Sequence, residues 1–90
     1  MKYYDWNEEK NETLKKTRNI SFEVIVIQIE MGSLLNILEH PNKQKYKNQK
    51  IFVVEYENYV YLVPFIEEED KIFLKTIIPS RKATKQYLED

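Results

Sequence analysis

The chain has 90 residues, enough for one small domain and too few for two. Its 42% hydrophobic and 13% aromatic content supports a packed core and excludes a disordered chain. With no cysteine, one histidine and one glycine, it has no disulfides, thiol chemistry, multi-histidine metal site or glycine-rich phosphate loop, so no cofactor is expected.

No apolar run approaches the ~18–20 residues of a membrane span. The opening MKYYDWNEEK is not patterned as a signal peptide. The expected location is the cytoplasm, with no membrane partner.

Lys2–Trp6 is short, aromatic and strand-like. Asp5 or Asn7 can cap a following helix, which carries Glu8 and Glu9 in its first turn and Lys15, Lys16 and Arg18 at its end, as the helix dipole favours. Asn19 tolerates the left-handed conformation that closes helices, and Ser21 reads as the next N-cap. The segment Phe22–Met31 stays open between helix and strand. Its β-branched residues favour a strand, whereas Ser21 before it and Gly32 after it mark a helix start and stop.

Leu34–Glu39 reads as a strand ended by His40-Pro41. Lys50–Glu57 and Tyr59–Ile66 read as two strands joined by a tight turn at Asn58, with Pro64 predicted at an edge or bulge. Lys71–Ile78 is a further predicted strand, and Ser80 caps a last helix over Arg81–Leu88. With the open segment taken as a helix, the order is β-α-α-β-β-β-β-α, an α+β domain built on an antiparallel sheet.

The formal net charge of −1 conceals strong patterning. Pro41–Lys50 holds Lys43, Lys45, Lys47 and Lys50 with no acid, and Thr76–Gln86 holds Arg81, Lys82 and Lys85, again with none. Acids gather at Glu8, Glu9 and Glu12, the first two complementing the helix dipole, and in the turn Glu67–Asp70, where consecutive side chains splay apart. Neither acidic group reads as a metal site. A basic face exists if the fold brings the two lysine-rich segments together.

The chain resembles the BrnT family of bacterial toxins, which belongs with the RelE-like ribonucleases. The resemblance rests on Tyr4-Asp5-Trp6, Lys10, Leu14-Lys15 and Ser21-Phe22-Glu23 at the start. It continues through Leu38-Glu39-His40-Pro41 before the polar loop, and closes on Lys75-Thr76-Ile77-Ile78-Pro79-Ser80-Arg81-Lys82-Ala83-Thr84. It spans nearly the whole chain, in order and at similar spacing. Lys50 and Lys75 stand where the family usually has arginine, and Pro79-Ser80 replaces its Ser-Ala. The resemblance implies that Phe22–Met31 is a helix and that the sheet is curved and antiparallel, with two N-terminal helices and a short C-terminal one. It also implies a type II toxin that cleaves RNA, is neutralised by a cognate antitoxin, and meets DNA only through the antitoxin complex.

RNA cleavage needs no metal. The 2′-hydroxyl attacks the adjacent phosphorus, and clustered cations stabilise the phosphorane dianion. Arg81, at a helix start where backbone N–H groups also attract anions, is the leading candidate. Lys50 and Lys75 are further cationic candidates, and His40 is a candidate for proton transfer. Lys43, Lys45, Lys47, Lys82 and Lys85 would track the RNA backbone, while Tyr46, Tyr56 and Tyr61 would stack a base or donate a proton. The alternative expectation is a non-catalytic protein-binding module of the same fold. A DNA-binding regulator fits less well, because the one basic helix is short and C-terminal.

Overall fold

The structure, a computed structural model, describes residues 2–42, 44–45 and 48–89. In chain order the elements are β1 (Tyr3–Trp6), α1 (Glu8–Arg18), α2 (Phe22–Glu30), β2 (Leu34–Glu39), β3 (Gln49–Tyr56), β4 (Tyr59–Glu67), β5 (Lys71–Leu74), β6 (Ile78–Pro79) and α3 (Arg81–Leu88). The sheet runs β1-β5-β4-β3-β2, with β6 also on β4. No helix among the described residues is long and apolar enough to cross a membrane.

Local chemistry explains the helices. Asn7 caps α1 by accepting from the Lys10 N–H at 2.9 Å, and Asn19 closes it at φ 55°. The ambiguous segment is a helix in the structure. Ser21 accepts from the Val24 N–H at 3.2 Å. At the other end Ser33 N–H reaches the Gln28 carbonyl and Gly32 N–H reaches that of Ile29, a Schellman closure that places Gly32 at φ 93°. These caps override the β-branched composition. One buried side chain then joins the two helices: Asn11 accepts from the Phe22 N–H and donates to the Glu23 carboxylate, both at 2.8 Å.

Alternation along the strands divides the sheet into two faces. Phe52 and Val54 of β3, Val63 and Phe65 of β4, and Leu74 of β5 point to the face covered by Leu14 of α1 and Phe22 and Ile25 of α2. Val53 and Val60 point to the opposite face, where Ala83 of α3 covers them, flanked by Leu35, Leu62, Tyr87 and Leu88. The result is three layers, with α1 and α2 on one side and α3 on the other.

Two predicted features differ, and a third is narrowed. The sheet is mixed, because β1 pairs with β5 in parallel from Tyr3↔Lys71 to Trp6↔Leu74; the remaining pairings are antiparallel. The predicted strand Lys71–Ile78 stops after Leu74 and resumes as the two-residue β6. Of the edge or bulge expected for Pro64, the structure has the irregularity: Pro64 lies inside β4 opposite Ile51, where the register on its other side shifts by one residue between Phe65↔Leu74 and Leu62↔Ile78. The last two share a cause. The Pro64 carbonyl accepts from the Lys75 N–H at 2.8 Å, so the side of Pro64 that lacks a donor faces the gap between β5 and β6. The ladder cannot continue there, and the neighbouring strand leaves the sheet.

Candidate nucleic-acid interface

The C-terminal helix is held onto the sheet by hydroxyls. Where β6 ends, Ser80 N–H donates to the Val60 carbonyl at 3.0 Å, and the Ser80 hydroxyl accepts from the Ala83 N–H at 3.1 Å. One turn on, the buried Thr84 hydroxyl accepts the Val60 N–H at 2.9 Å and donates to the Ser80 carbonyl at 2.7 Å. Val60 therefore bonds to α3 through both its backbone groups, which fixes the start of the helix in place. Helix geometry leaves the amides of Arg81 and Lys82 without intrahelical acceptors.

Arg81, Lys82 and Lys85 are exposed, and none of them is ion-paired among the described residues. From Ile72 to Leu88 the chain carries four cations and no acid. Two of these cations sit in the first turn of α3, where the helix dipole opposes them. Stability alone does not favour that placement. Lys75, also exposed and without an ion pair among the described residues, lies on the same outer segment beside the Pro64 gap.

Around the β6 edge, on the other face of the sheet, is a cluster of half-buried tyrosines. Tyr61 pairs with Pro79 in the ladder. Its ring stands 5.7 Å from Tyr59 and 6.4 Å from Tyr56. Burial, with Glu57 close by, pushes the Tyr61 hydroxyl above its usual value. Like any phenol it stays protonated at neutral pH, where it offers an O–H hydrogen-bond donor. The structure thus brings Tyr56 and Tyr61 to the same end of the sheet as Arg81, Lys82 and Lys85.

The remaining described candidates lie elsewhere. Lys50 pairs with Phe65 in the ladder, whereas Ser80 is bonded to Val60, five residues away along β4. That separation is about 17 Å of strand. Lys50 also shares the α1–α2 face with Glu67, whose carboxylate lies 3.6 Å from it and 2.9 Å from Lys2. The hydrogen bond from Lys2 and the charges of both lysines hold the Glu67 carboxyl below the usual carboxylate range.

His40 accompanies Lys50. Its N–H donates to the Gln49 carbonyl, and its Nδ1 accepts from the Asn42 N–H at 3.1 Å, so it serves as a turn residue. Lys45 is exposed in the same loop, its backbone N–H bonded to Asn42 Oδ1. Lys43, Tyr46 and Lys47 lie outside the described residues. Arg81, Lys75 and Lys50 therefore do not converge on one point: Arg81 and Lys50 occupy opposite faces and opposite ends of the hairpin.

Three contributors escape sequence reading. Thr84, four residues after Ser80, carried a legible spacing. Tyr59 lay within the tyrosine-rich hairpin. Arg18, whose guanidinium donates to the Ile77 carbonyl, ties the end of α1 to the outer segment and left no sequence signal. No group of three or more potential metal ligands occurs among the described residues.

Compared with known protein families, curated proteins and solved structures, the chain matches none. What the fold and site define is a small α+β domain whose basic helix start has no ion pair among the described residues, with a tyrosine cluster at the same end of the sheet on the other face.

Proposed function

We propose that the chain is an RNA-cleaving toxin of a type II toxin–antitoxin pair, of the BrnT kind within the RelE-like ribonucleases, and that it grips the scissile phosphate at the start of α3. The observation that carries this reading is the trio Arg81, Lys82 and Lys85: exposed, lacking ion pairs among the described residues, and partly set against the helix dipole. The ordered likeness of residues along the chain supports the family.

In this reading the 2′-hydroxyl gives its proton to water and attacks phosphorus. The Arg81 guanidinium, aided by the free first-turn amides, stabilises the phosphorane dianion. The P–O5′ bond then breaks, with water protonating the departing 5′-oxygen. Lys82, Lys85 and Lys75 hold flanking phosphates. Tyr56 and Tyr61, at the same end but on the other face of the sheet, stack a base of the strand as it rounds the β6 edge. Lys50 and His40 stand apart from this centre and are assigned no step. The partner is a cognate antitoxin, and DNA contact is left to that complex.

A second reading, a non-catalytic protein-binding module of this fold, is favoured by one observation: the four candidate catalytic residues do not form one constellation. Induced expression separates the two readings. The nuclease reading expects growth arrest, relief by the partner encoded alongside, and RNA fragments ending in 2′,3′-cyclic phosphate. Harmless expression together with intact RNA would leave the binding module as the function.

A further inference from the structure

We infer that the groove between β2 and α3 seats an acidic segment of a partner protein that inserts one aliphatic side chain. Leu38 of β2, Leu62 of β4 and Ala83 of α3 line it, with Tyr87 as a wall and Ser80, Lys82 and Gln86 at the rim. Its volume is about 190 Å³, enough for one side chain. The wall is fixed, because the Tyr87 hydroxyl accepts from Asn36 Nδ2 at 3.0 Å across the groove. Leu38 is 38% exposed on the outermost strand, an aliphatic side chain left open to solvent beside this hollow.

Charge complementarity selects the occupant. The apolar lining rewards a leucine-like side chain. The rim cation Lys82 and its neighbours Arg81 and Lys85, in a stretch without acids, reward carboxylates on either side of it. The lining offers mainly aliphatic groups where single-stranded nucleic-acid sites offer ring faces, so the occupant is protein rather than RNA. A segment seated here also covers Lys82, at the start of α3. That such a partner thereby shields the helix from RNA rests on the nuclease reading, whereas the groove's preference for an acidic peptide does not.

Methyl and amide NMR titrations of the full chain with the peptides EELEE and KKLKK test the inference. EELEE is expected to shift the methyl resonances of Leu38, Leu62 and Ala83, with KKLKK binding about fivefold or more weakly. Lys82→Glu should reverse that preference. Leu38→Asp should abolish the shifts at Leu62 and Ala83 while leaving the β3 and β4 amide spectrum unchanged. Equal shifts from both peptides, or shifts confined to lysine resonances, overturn it. So does an oligouridylate that moves the groove methyls as strongly as EELEE. Peptide binding that persists in a protein inert towards RNA upholds the groove and counts against the nuclease reading alone.

Discussion

At one end of the β3–β4 hairpin Lys50 shares Glu67 with Lys2, and the nearby His40 is tied into a turn. At the other end Arg81, Lys82 and Lys85 stand on a helix start with no ion pair among the described residues. In sequence both segments read as acid-free basic stretches. In the fold, register delivers Glu67 from β4 to Lys50, whereas among the described residues no acid is ion-paired with Arg81, Lys82 or Lys85. Cation count along a chain therefore says less about an anion-binding surface than the pairing that topology imposes afterwards.

The sharpest way to break this comparison is to remove one cation from each end. Arg81→Ala is expected to lower RNA cleavage about 100-fold, the usual cost of losing one transition-state donor. Its stability should stay within about 0.5 kcal/mol of the parent, as for an exposed residue. Lys50→Ala should change cleavage by less than about threefold. Single-turnover assays of both variants decide the matter, and equal losses would erase the distinction between the ends.

Stability should separate scaffold from site. Asn11→Ala removes two hydrogen bonds from a fully buried position and is expected to cost about 2–4 kcal/mol by chemical denaturation. It also frees Glu23, whose carboxyl the Asn11 hydrogen bond holds below its usual range and which should titrate higher in the variant. Cleavage by the folded fraction should persist. Thr84→Val leaves the Val60 N–H without its acceptor, at a cost of about 1–3 kcal/mol. Because it loosens the start of α3, this variant should lose cleavage as well.

Smaller effects sharpen the picture. Each phosphate contact on a single strand contributes about 0.7 to the logarithmic salt slope. Lys82→Ala and Lys85→Ala should each flatten the slope of RNA affinity by about that amount, and Lys50→Ala should not. Glu67 gives the smallest signal. Its folded-state pKa is depressed, so its ion pairs contribute stability above the ordinary carboxylate value of about 4.3 and lose it as pH falls through the lower folded value. Parent and Glu67→Gln should therefore differ slightly near neutrality and converge in acid. The same variant unpairs Lys50 and should raise RNA affinity about twofold if pairing is what silences that end.

Capping signals made much of the fold legible. Ser21 with Gly32 and Ser80 with Arg81 mark helix ends that the structure keeps, and the hairpin turn falls at Glu57 and Asn58, both at positive φ. The parallel docking of β1 was hidden, because four aromatic-rich residues say nothing about which distant strand they join. The break after Leu74 was hidden too: Pro64 announces a missing donor, but not which neighbouring strand must part to accommodate it. For the site, Arg81 with Lys82 and Lys85 was readable as a group. The separation of Lys50 and His40 from them was not, since it depends on strand register and on side-chain alternation across two faces.

The most direct test is an amide NMR titration of the intact chain with a short oligouridylate. Binding at the start of α3 should concentrate the shifts at Ser80–Lys85 and around Tyr61, with Lys50 and His40 silent. Shifts centred on Lys50 and His40, with the start of α3 unmoved, would contradict it.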